Sequence, residues 1–222
     1  MLERPYRFNF NPLRWPKVSI VGLIGITIYC IFTFISLSFF PRNFDPISNN
    51  LSELGDFYDN PNGAIFYNLG MVLTGFASIL FYIGLYKWFM SKKKSKLLVV
   101  GLIAGIINAI AIIMAGIFSE TQETFTQHVF WSILIFISFF PVLILVNVAI
   151  YITYSDFNKL VAYYGFGVAL IDLSFLIFLA FTGVSANFPL IEWLAVFSYI
   201  SWIGILAGNI LNLGVLEVNN KI

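Results

Sequence analysis

The chain alternates between long apolar runs and short polar intervals, and this alternation predicts its architecture. Six runs are each long enough, at roughly 20 residues or more, to cross the hydrocarbon core of a bilayer as a helix. They cover approximately residues 18–40, 64–90, 97–118, 128–151, 160–182 and 190–213. Transmembrane strands would show short segments of alternating polarity, whereas these runs are continuous. We therefore predict an all-α integral membrane protein built as a bundle of six transmembrane helices.

The composition of the chain supports this prediction. Hydrophobic residues make up 59% of the 222, and charged residues make up 10%. A soluble domain needs more charged residues to cover its surface, so a membrane protein is indicated. We expect three segments along the chain. A basic, aromatic leader covers residues 1–17, the six-helix domain covers residues 18–213, and a short tail covers residues 214–222.

The distribution of basic residues predicts how the helices are oriented. If both termini lie in the cytoplasm, Arg42 is the only one of the 12 basic residues that falls outside. A cluster of lysines at residues 92–96 then lies on the inner side, between the second and third spans. This bias follows the positive-inside rule. We therefore expect a multi-pass protein of the cell membrane whose N- and C-termini are cytoplasmic.

The longest polar interval, residues 48–63, separates the first two spans and is expected on the outer face. Its Asn-Pro-Asn-Gly stretch (60–63) is typical of a turn that begins a helix, which favours a structural capping role. The alternative is that polar side chains of this region point into the mouth of the bundle and bind a polar ligand. The candidates for that role are Ser52, Glu53, Asn60 and Asn68.

Other acidic residues and the single histidine also fall in the predicted outer loops. The candidates that could join the same site are Glu120, His128 and Glu192. Carboxylates with an imidazole suit a divalent cation or a general acid/base pair, but a solvated acidic rim is the favoured interpretation. With one His and one Cys in the chain, and no His-x-x-x-His spacing, we expect no metal site. No phosphate-binding glycine loop, haem pair or dinucleotide fingerprint occurs, so we expect no cofactor.

Asp172 lies about halfway along the fifth span, where an ionisable side chain is costly and needs a physical reason. One interpretation is a neutral acid in a buried polar network with Asn108, Asn147 or Ser174, which lie at comparable depths. The other is a protonatable group in a transport path. We favour the structural network and leave the second interpretation open.

Two predicted helices carry glycines four residues apart, Gly101 with Gly105 and Gly204 with Gly208. Such a pair clears one face of a helix, so that a neighbouring backbone can approach closely. We therefore expect both pairs to serve helix packing. The likeness of the two segments would also fit a three-plus-three inverted repeat, as a less favoured alternative.

Several short motifs, in their order along the chain, resemble one family of membrane proteins. They are Ser52-Glu53-Leu54-Gly55, Asn60-Pro61, Phe66, Asn68-Leu69-Gly70, Gly116-Ile117-Phe118, His128 and Glu192-Trp193. Together they resemble the six-helix family catalogued as domain of unknown function 998, over nearly the whole chain. The resemblance implies six spans and an outer polar signature. It implies no activity.

These features lead to one main hypothesis for function and two alternatives. The main hypothesis is a six-helix protein whose outer mouth binds a small polar ligand or a lipid headgroup. The first alternative is a membrane-embedded lipid-modifying or hydrolytic enzyme that uses a carboxylate and His128. The second is a proton- or cation-coupled transporter of small solutes that uses Asp172. Membrane lipids are the expected partners, with a second copy or another membrane protein as a further candidate, and no motif for nucleic acid is present.

Overall fold

The computed structural model describes residues 15–183 and 189–219, and within them all regular structure is helical. The helices are α1 (Lys17–Ser38), a 3-10 helix (Leu51–Gly55), α2 (Ala64–Lys92), α3 (Lys96–Ile117), α4 (Phe125–Thr153), α5 (Lys159–Thr182) and α6 (Pro189–Asn219). The six α-helices are all long and apolar enough to cross a membrane. The prediction of six apolar helices in an all-α membrane protein is therefore confirmed.

Some predicted segments fall partly outside these residues. Most of the basic leader, with Arg4, Arg7 and Arg14, lies outside them, as do residues 184–188 and 220–222. Helix α4 begins a few residues before the apolar run that predicted it, and α6 continues to Asn219. A helix can project beyond the hydrocarbon core, because its backbone hydrogen bonds are internal and do not depend on lipid.

The six helices form a closed ring. Each packs mainly against the helices before and after it in sequence, and α6 packs back against α1. Large side chains fill much of the interior, and the fully buried ones include Phe81, Tyr82, Leu143, Trp202 and Leu206. We call the end of the ring that carries the 3-10 helix the loop end. The opposite end, where Lys92–Lys96 joins α2 to α3, is the lysine end.

The turn at the lysine end is held by one buried aromatic group. The Tyr154 hydroxyl donates a hydrogen bond of 2.6 Å to the carbonyl oxygen of Lys93, and the Tyr154 ring packs on Phe89 with centroids 4.6 Å apart. Burial raises the pKa of Tyr154 to about 12, so the hydroxyl keeps its proton and remains a donor. This bond joins the end of α4 to the connection between α2 and α3.

The two glycine pairs have different surroundings. A Cβ atom on Gly105 would lie 2.7 Å from the ring of Tyr82 on α2, and one on Gly101 would lie 3.0 Å from Leu145 on α4. In α6, a Cβ on Gly204 would lie 3.2 Å from Ile26, whereas a Cβ on Gly208 would meet nothing within 4 Å. Close packing therefore explains the α3 pair, and the likeness of the two sequences does not extend to equivalent packing.

Buried asparagines connect α4 to its neighbours. Asn108 on α3 donates to the carbonyl oxygen of Ile135 at 2.9 Å and to the hydroxyl of Ser138 at 3.0 Å. Asn147 on α4 accepts a 3.1 Å hydrogen bond from the indole N–H of Trp202 on α6. Both asparagines are fully buried, so these bonds pair polar groups that would otherwise be costly, although Asn108 Oδ1 has no hydrogen-bond partner. Neither asparagine bonds Asp172.

Candidate functional site

Residues 39–63, which connect α1 to α2, fold into a compact segment that we call the cap. Leu51 and Leu54 of its 3-10 helix are buried against Tyr29 and Tyr67 of the bundle. The Glu53 carboxylate accepts the Asn50 backbone N–H at 2.8 Å, which satisfies a free donor at the start of this short helix. The buried leucines pack the cap against the bundle, and the hydrogen bond of Glu53 stabilises the short helix that carries them.

Asn60 holds the cap to α1. Its side-chain amide N–H₂ donates to Ser36 Oγ and to the Leu54 carbonyl, each at 3.0 Å, and its Oδ1 accepts the Gly63 N–H at 3.1 Å. The side chain is fully buried. Asn68 has a similar arrangement, since its amide donates to the carbonyl oxygen of Gly55 at 2.9 Å. These amides thus bond the cap itself.

The start of α6 joins the cap from the other side. The Glu192 carboxylate accepts the backbone N–H of Leu51 at 3.2 Å, and the Trp193 indole N–H donates to the carbonyl oxygen of Asn49 at 3.2 Å. The Trp193 ring also stacks on Phe197, with centroids 5.3 Å apart and planes 3° from parallel. The cap therefore spans from α1 and α2 to α6 and closes the loop end of the ring.

A cavity of about 190 Å³ lies inside the ring beneath the cap, and all six helices contribute to its walls. A single water needs only about 10–15 Å³ of such volume, so the cavity has room for a ligand of many atoms. Along α6 its walls run from Glu192 to Ile203, eleven residues apart. That separation is about 16 Å of helix, roughly half the ~30 Å thickness of a bilayer core.

The end of the cavity next to the cap is polar. The side chains there that can ionise or donate hydrogen bonds include Tyr29, Ser52, Tyr67, Glu120, His128 and Glu192. Glu120 Oε2 is buried and has no hydrogen-bond partner. The buried Tyr29 hydroxyl, which interacts with Tyr67 and Thr33, makes no well-formed hydrogen bond. The exposed fraction of Tyr29 is only 4%. Because buried polar atoms are normally paired, these two are available to a bound molecule.

Deeper in the ring the walls become mainly apolar, although Thr74, Ser78 and Tyr199 add hydroxyl groups there. Side chains from α3, α4, α5 and α6 provide this part, and they include Ile112, Ile135, Phe136, Phe139, Phe175, Val196 and Ile203. The α4 and α5 residues Phe125, Val129, Ser132, Phe178 and Leu179 also line the cavity, yet they keep partly exposed surface. The described part of the cavity therefore reaches the surroundings of the bundle between α4 and α5.

The signs of the charges around the cavity are one-sided. Among the described residues that line it, Glu120 and Glu192 are acidic and none is Lys or Arg. Arg42, the one basic residue of the cap, is exposed and pairs with Asp59 at 2.6 Å. No three His, Cys, Asp or Glu side chains converge to hold a metal ion in the part of the chain that the structure describes.

A comparison with protein-family models matched the family described as "Protein of unknown function (DUF998)" over residues 23–209. The chain belongs to this family. The match runs from α1 into α6 and includes the cap and every residue of the cavity walls, so the resemblance drawn from the short motifs is confirmed. A search of curated proteins and a search of solved structures each found no match. The family description names no activity.

The seven predicted ligand-binding candidates fall into two groups in the structure. Four line the cavity, namely Ser52, Glu120, His128 and Glu192. The other three hold the cap in place, namely Glu53, Asn60 and Asn68. Sequence reasoning missed Tyr29, Tyr67 and Thr74 of the cavity wall. Tyr67 and Thr74 are seven residues apart and so share one face of α2, a spacing that could have indicated them.

Asp172 lies outside this cavity wall. It is fully buried on α5, and neither of its carboxyl oxygens has a hydrogen-bond partner. The network expected with Asn108, Asn147 or Ser174 is therefore not formed, since those side chains bond elsewhere. An ionised carboxylate without a partner would be far more costly to bury than a neutral acid. Asp172 is close enough to Tyr199, a residue of the cavity wall, to interact with it electrostatically.

Proposed function

We propose that this protein binds an amphiphilic lipid, with the headgroup beneath the cap and a hydrocarbon chain along the apolar walls. The observation that carries the proposal is the change of one continuous cavity from polar to apolar along its length. Ligand sites are usually concave and apolar, with a few polar groups that orient the ligand. The depth of about 16 Å along α6 matches one leaflet rather than a full bilayer. Membrane lipids are thus the proposed partners.

The proposal includes the orientation of the bundle in the cell membrane. Most of the described basic residues belong to the lysine end, whereas Arg42 belongs to the cap. Those of the lysine end include Lys87, Lys92, Lys93, Lys94, Lys96 and Lys159. By the positive-inside rule the lysine end faces the cytoplasm, with both termini, and the cap faces outward. The cavity would then draw its ligand from the outer leaflet.

Cysteine labelling tests this orientation. After Cys30, the single cysteine, is replaced by Ser, we expect Ile47→Cys to react with a membrane-impermeant maleimide in intact cells, because Ile47 is 70% exposed on the cap. Lys94→Cys, at an exposed position of the lysine end, should react only after the membrane is permeabilised. The reverse pattern would place the cap in the cytoplasm.

A bulky side chain at the side of the cavity should block lipid binding. Val129 lines the cavity from α4 and is only partly buried, so Val129→Trp adds volume there without replacing a core residue. We expect this change to weaken binding of lysophosphatidylcholine, a single-chain lysophospholipid with an exposed ammonium group, by at least about tenfold, which is about 1.4 kcal/mol. Native mass spectrometry of the purified protein would measure the bound fraction against lipid concentration.

The neighbouring residue provides the matched control. Phe130 is 59% exposed and does not line the cavity, so Phe130→Trp should leave lysophospholipid binding unchanged. Equal binding by both variants would mean that the lipid lies elsewhere on the bundle. A loss in both would point to the tryptophan rather than to the cavity.

The hydrolytic alternative has one observation in its favour. The His128 Nε2 lies 3.2 Å from the hydroxyl of Ser132, and both residues line the cavity. However, the other ring nitrogen, Nδ1, lies 2.7 Å from the carbonyl oxygen of Phe118 and not from a carboxylate. In a Ser-His-Asp triad the carboxylate stabilises the imidazolium that forms during attack, and a neutral carbonyl does so less. Binding without hydrolysis is therefore the better-supported function.

The transport alternative is less well supported by the geometry. A coupling carboxyl would need contact with water or solute, and Asp172 is fully buried and outside the cavity wall. Its electrostatic neighbour in the wall is Tyr199, whose hydroxyl is hydrogen-bonded to that of Tyr82. Because both hydroxyls of that pair are already hydrogen-bonded to each other, no hydrogen bond links Asp172 to the cavity wall.

A further inference from the structure

The polar end of the cavity carries carboxyl groups that have no basic partner among the described residues. Glu120 and Glu192 both line it, and Glu53 of the cap is close enough to interact electrostatically with Glu192. No Lys or Arg is among the described residues of the wall. A phosphate or carboxylate placed there would lie close to these carboxyl groups in a poorly screened site, and its charge would oppose their ionisation. A cation would instead stabilise their ionised form.

Two further observations point to a bound group at this place. The Tyr29 hydroxyl belongs to the cavity wall, is buried and makes no well-formed hydrogen bond, and Glu120 Oε2 beside the cavity is buried and unpartnered. Both oxygens can accept from a hydrogen-bond donor. The rings of Tyr29 and Tyr67 are also part of the wall, with centroids 6.5 Å apart in an edge-to-face arrangement. Aromatic faces beside carboxylates attract organic cations, and ammonium groups in particular.

We propose that the headgroup bound beneath the cap is an ammonium group, so that the ligand is a cationic single-chain amphiphile or a lipid with an exposed ammonium. The ammonium would lie between the carboxylates of Glu120 and Glu192 and the ring of Tyr29, and the chain would follow the apolar wall toward Ile203. This inference rests on the proposed lipid-binding function and specifies the chemistry of its headgroup.

Three dodecyl amphiphiles that differ only in headgroup test the inference: dodecylammonium, tetraethylene glycol monododecyl ether and dodecyl phosphate. Their affinities for the full chain in maltoside micelles can be measured from the ligand-dependent shift in melting temperature. We expect the cation to bind at least about tenfold more tightly than the neutral or the anionic probe, as for one charge-assisted contact. Equal affinities for all three probes, or a preference for the phosphate, would overturn the cationic headgroup.

Charge-neutralising variants locate the effect. Glu192→Gln keeps an oxygen that can accept the Leu51 N–H, so the cap stays attached, and Glu120→Gln removes the second charge. Each should reduce the advantage of the cation over the neutral probe by about tenfold while the neutral probe binds as before. Glu123→Gln, at an exposed position in the same loop as Glu120 and outside the cavity wall, should leave the advantage intact. An unchanged advantage in both cavity variants would contradict the inference.

The Val129→Trp variant separates this inference from the function on which it rests. If Val129→Trp weakens all three probes equally and the headgroup charge makes no difference, the cavity binds amphiphiles but does not select a cation. If Val129→Trp changes the binding of none of them, the probes bind outside the cavity, and the proposed lipid-binding function fails together with the inference.

Discussion

Replacing Asn60 by Ala is expected to lower the free energy of unfolding by about 3 kcal/mol, because its fully buried side chain makes several hydrogen bonds that would be lost. The amide bonds Ser36 and Leu54, and its oxygen accepts the Gly63 N–H, all in a fully buried position. An alanine could replace none of these bonds. Unfolding of the purified protein by sodium dodecyl sulfate in mixed maltoside micelles, followed by tryptophan fluorescence, would measure the change.

Asn62 is the matched control, since it is the same residue type two positions away and is exposed. Exposed substitutions usually change stability by about 0.5 kcal/mol or less, so Asn62→Ala should unfold like the original protein. If Asn60→Ala were equally neutral, the hydrogen bonds between the cap and α1 would not stabilise the fold. The cap would then have to be held mainly by its buried leucines and by Glu192 and Trp193.

Replacing Gly105 by Ala is expected to lower the free energy of unfolding by about 1–3 kcal/mol, the usual cost of an overpacked core. The added methyl group would lie 2.7 Å from the ring of Tyr82. That ring has little freedom to move, because Tyr82 is 1% exposed and its hydroxyl is hydrogen-bonded to Tyr199. The same unfolding assay applies, and α2 and α3 should separate at lower denaturant.

Gly208 occupies the equivalent position of the second glycine pair and serves as the control. Nothing lies within 4 Å of the position that its Cβ would take. Gly208→Ala should therefore be neutral, or stabilising by up to about 1 kcal/mol, because alanine favours a helix over glycine. Equal destabilisation by the two substitutions would contradict the packing that distinguishes α3 from α6.

The six helices could be predicted from the sequence because the length of an apolar run is a local property. A run such as residues 97–118 has few other stable structures available in a bilayer, where every backbone group must be bonded internally. The motifs around Glu53, Asn60 and His128 were likewise readable as an ordered pattern, and the family match confirms the resemblance that they carried. Local signals were therefore sufficient for the fold class and the family.

The division of polar residues between cap and cavity could not be predicted in this way. Glu53 and Glu120 are chemically identical, yet one caps a short helix and the other lines the cavity. That difference depends on how helices far apart in sequence are arranged around the ring. Tyr29 was missed for the same reason, because an aromatic residue within an apolar span gives no sign of whether it faces lipid or a cavity.

The attachment of the cap to α6 also has a consequence for how the protein is made. The hydrogen bonds from Leu51 to Glu192 and from Trp193 to Asn49 join residues 141 and 144 positions apart. They can form only after α6 has left the ribosome and entered the membrane. During synthesis the Leu51 N–H therefore lacks its Glu192 partner, and the polar end of the cavity is completed only once α6 has inserted.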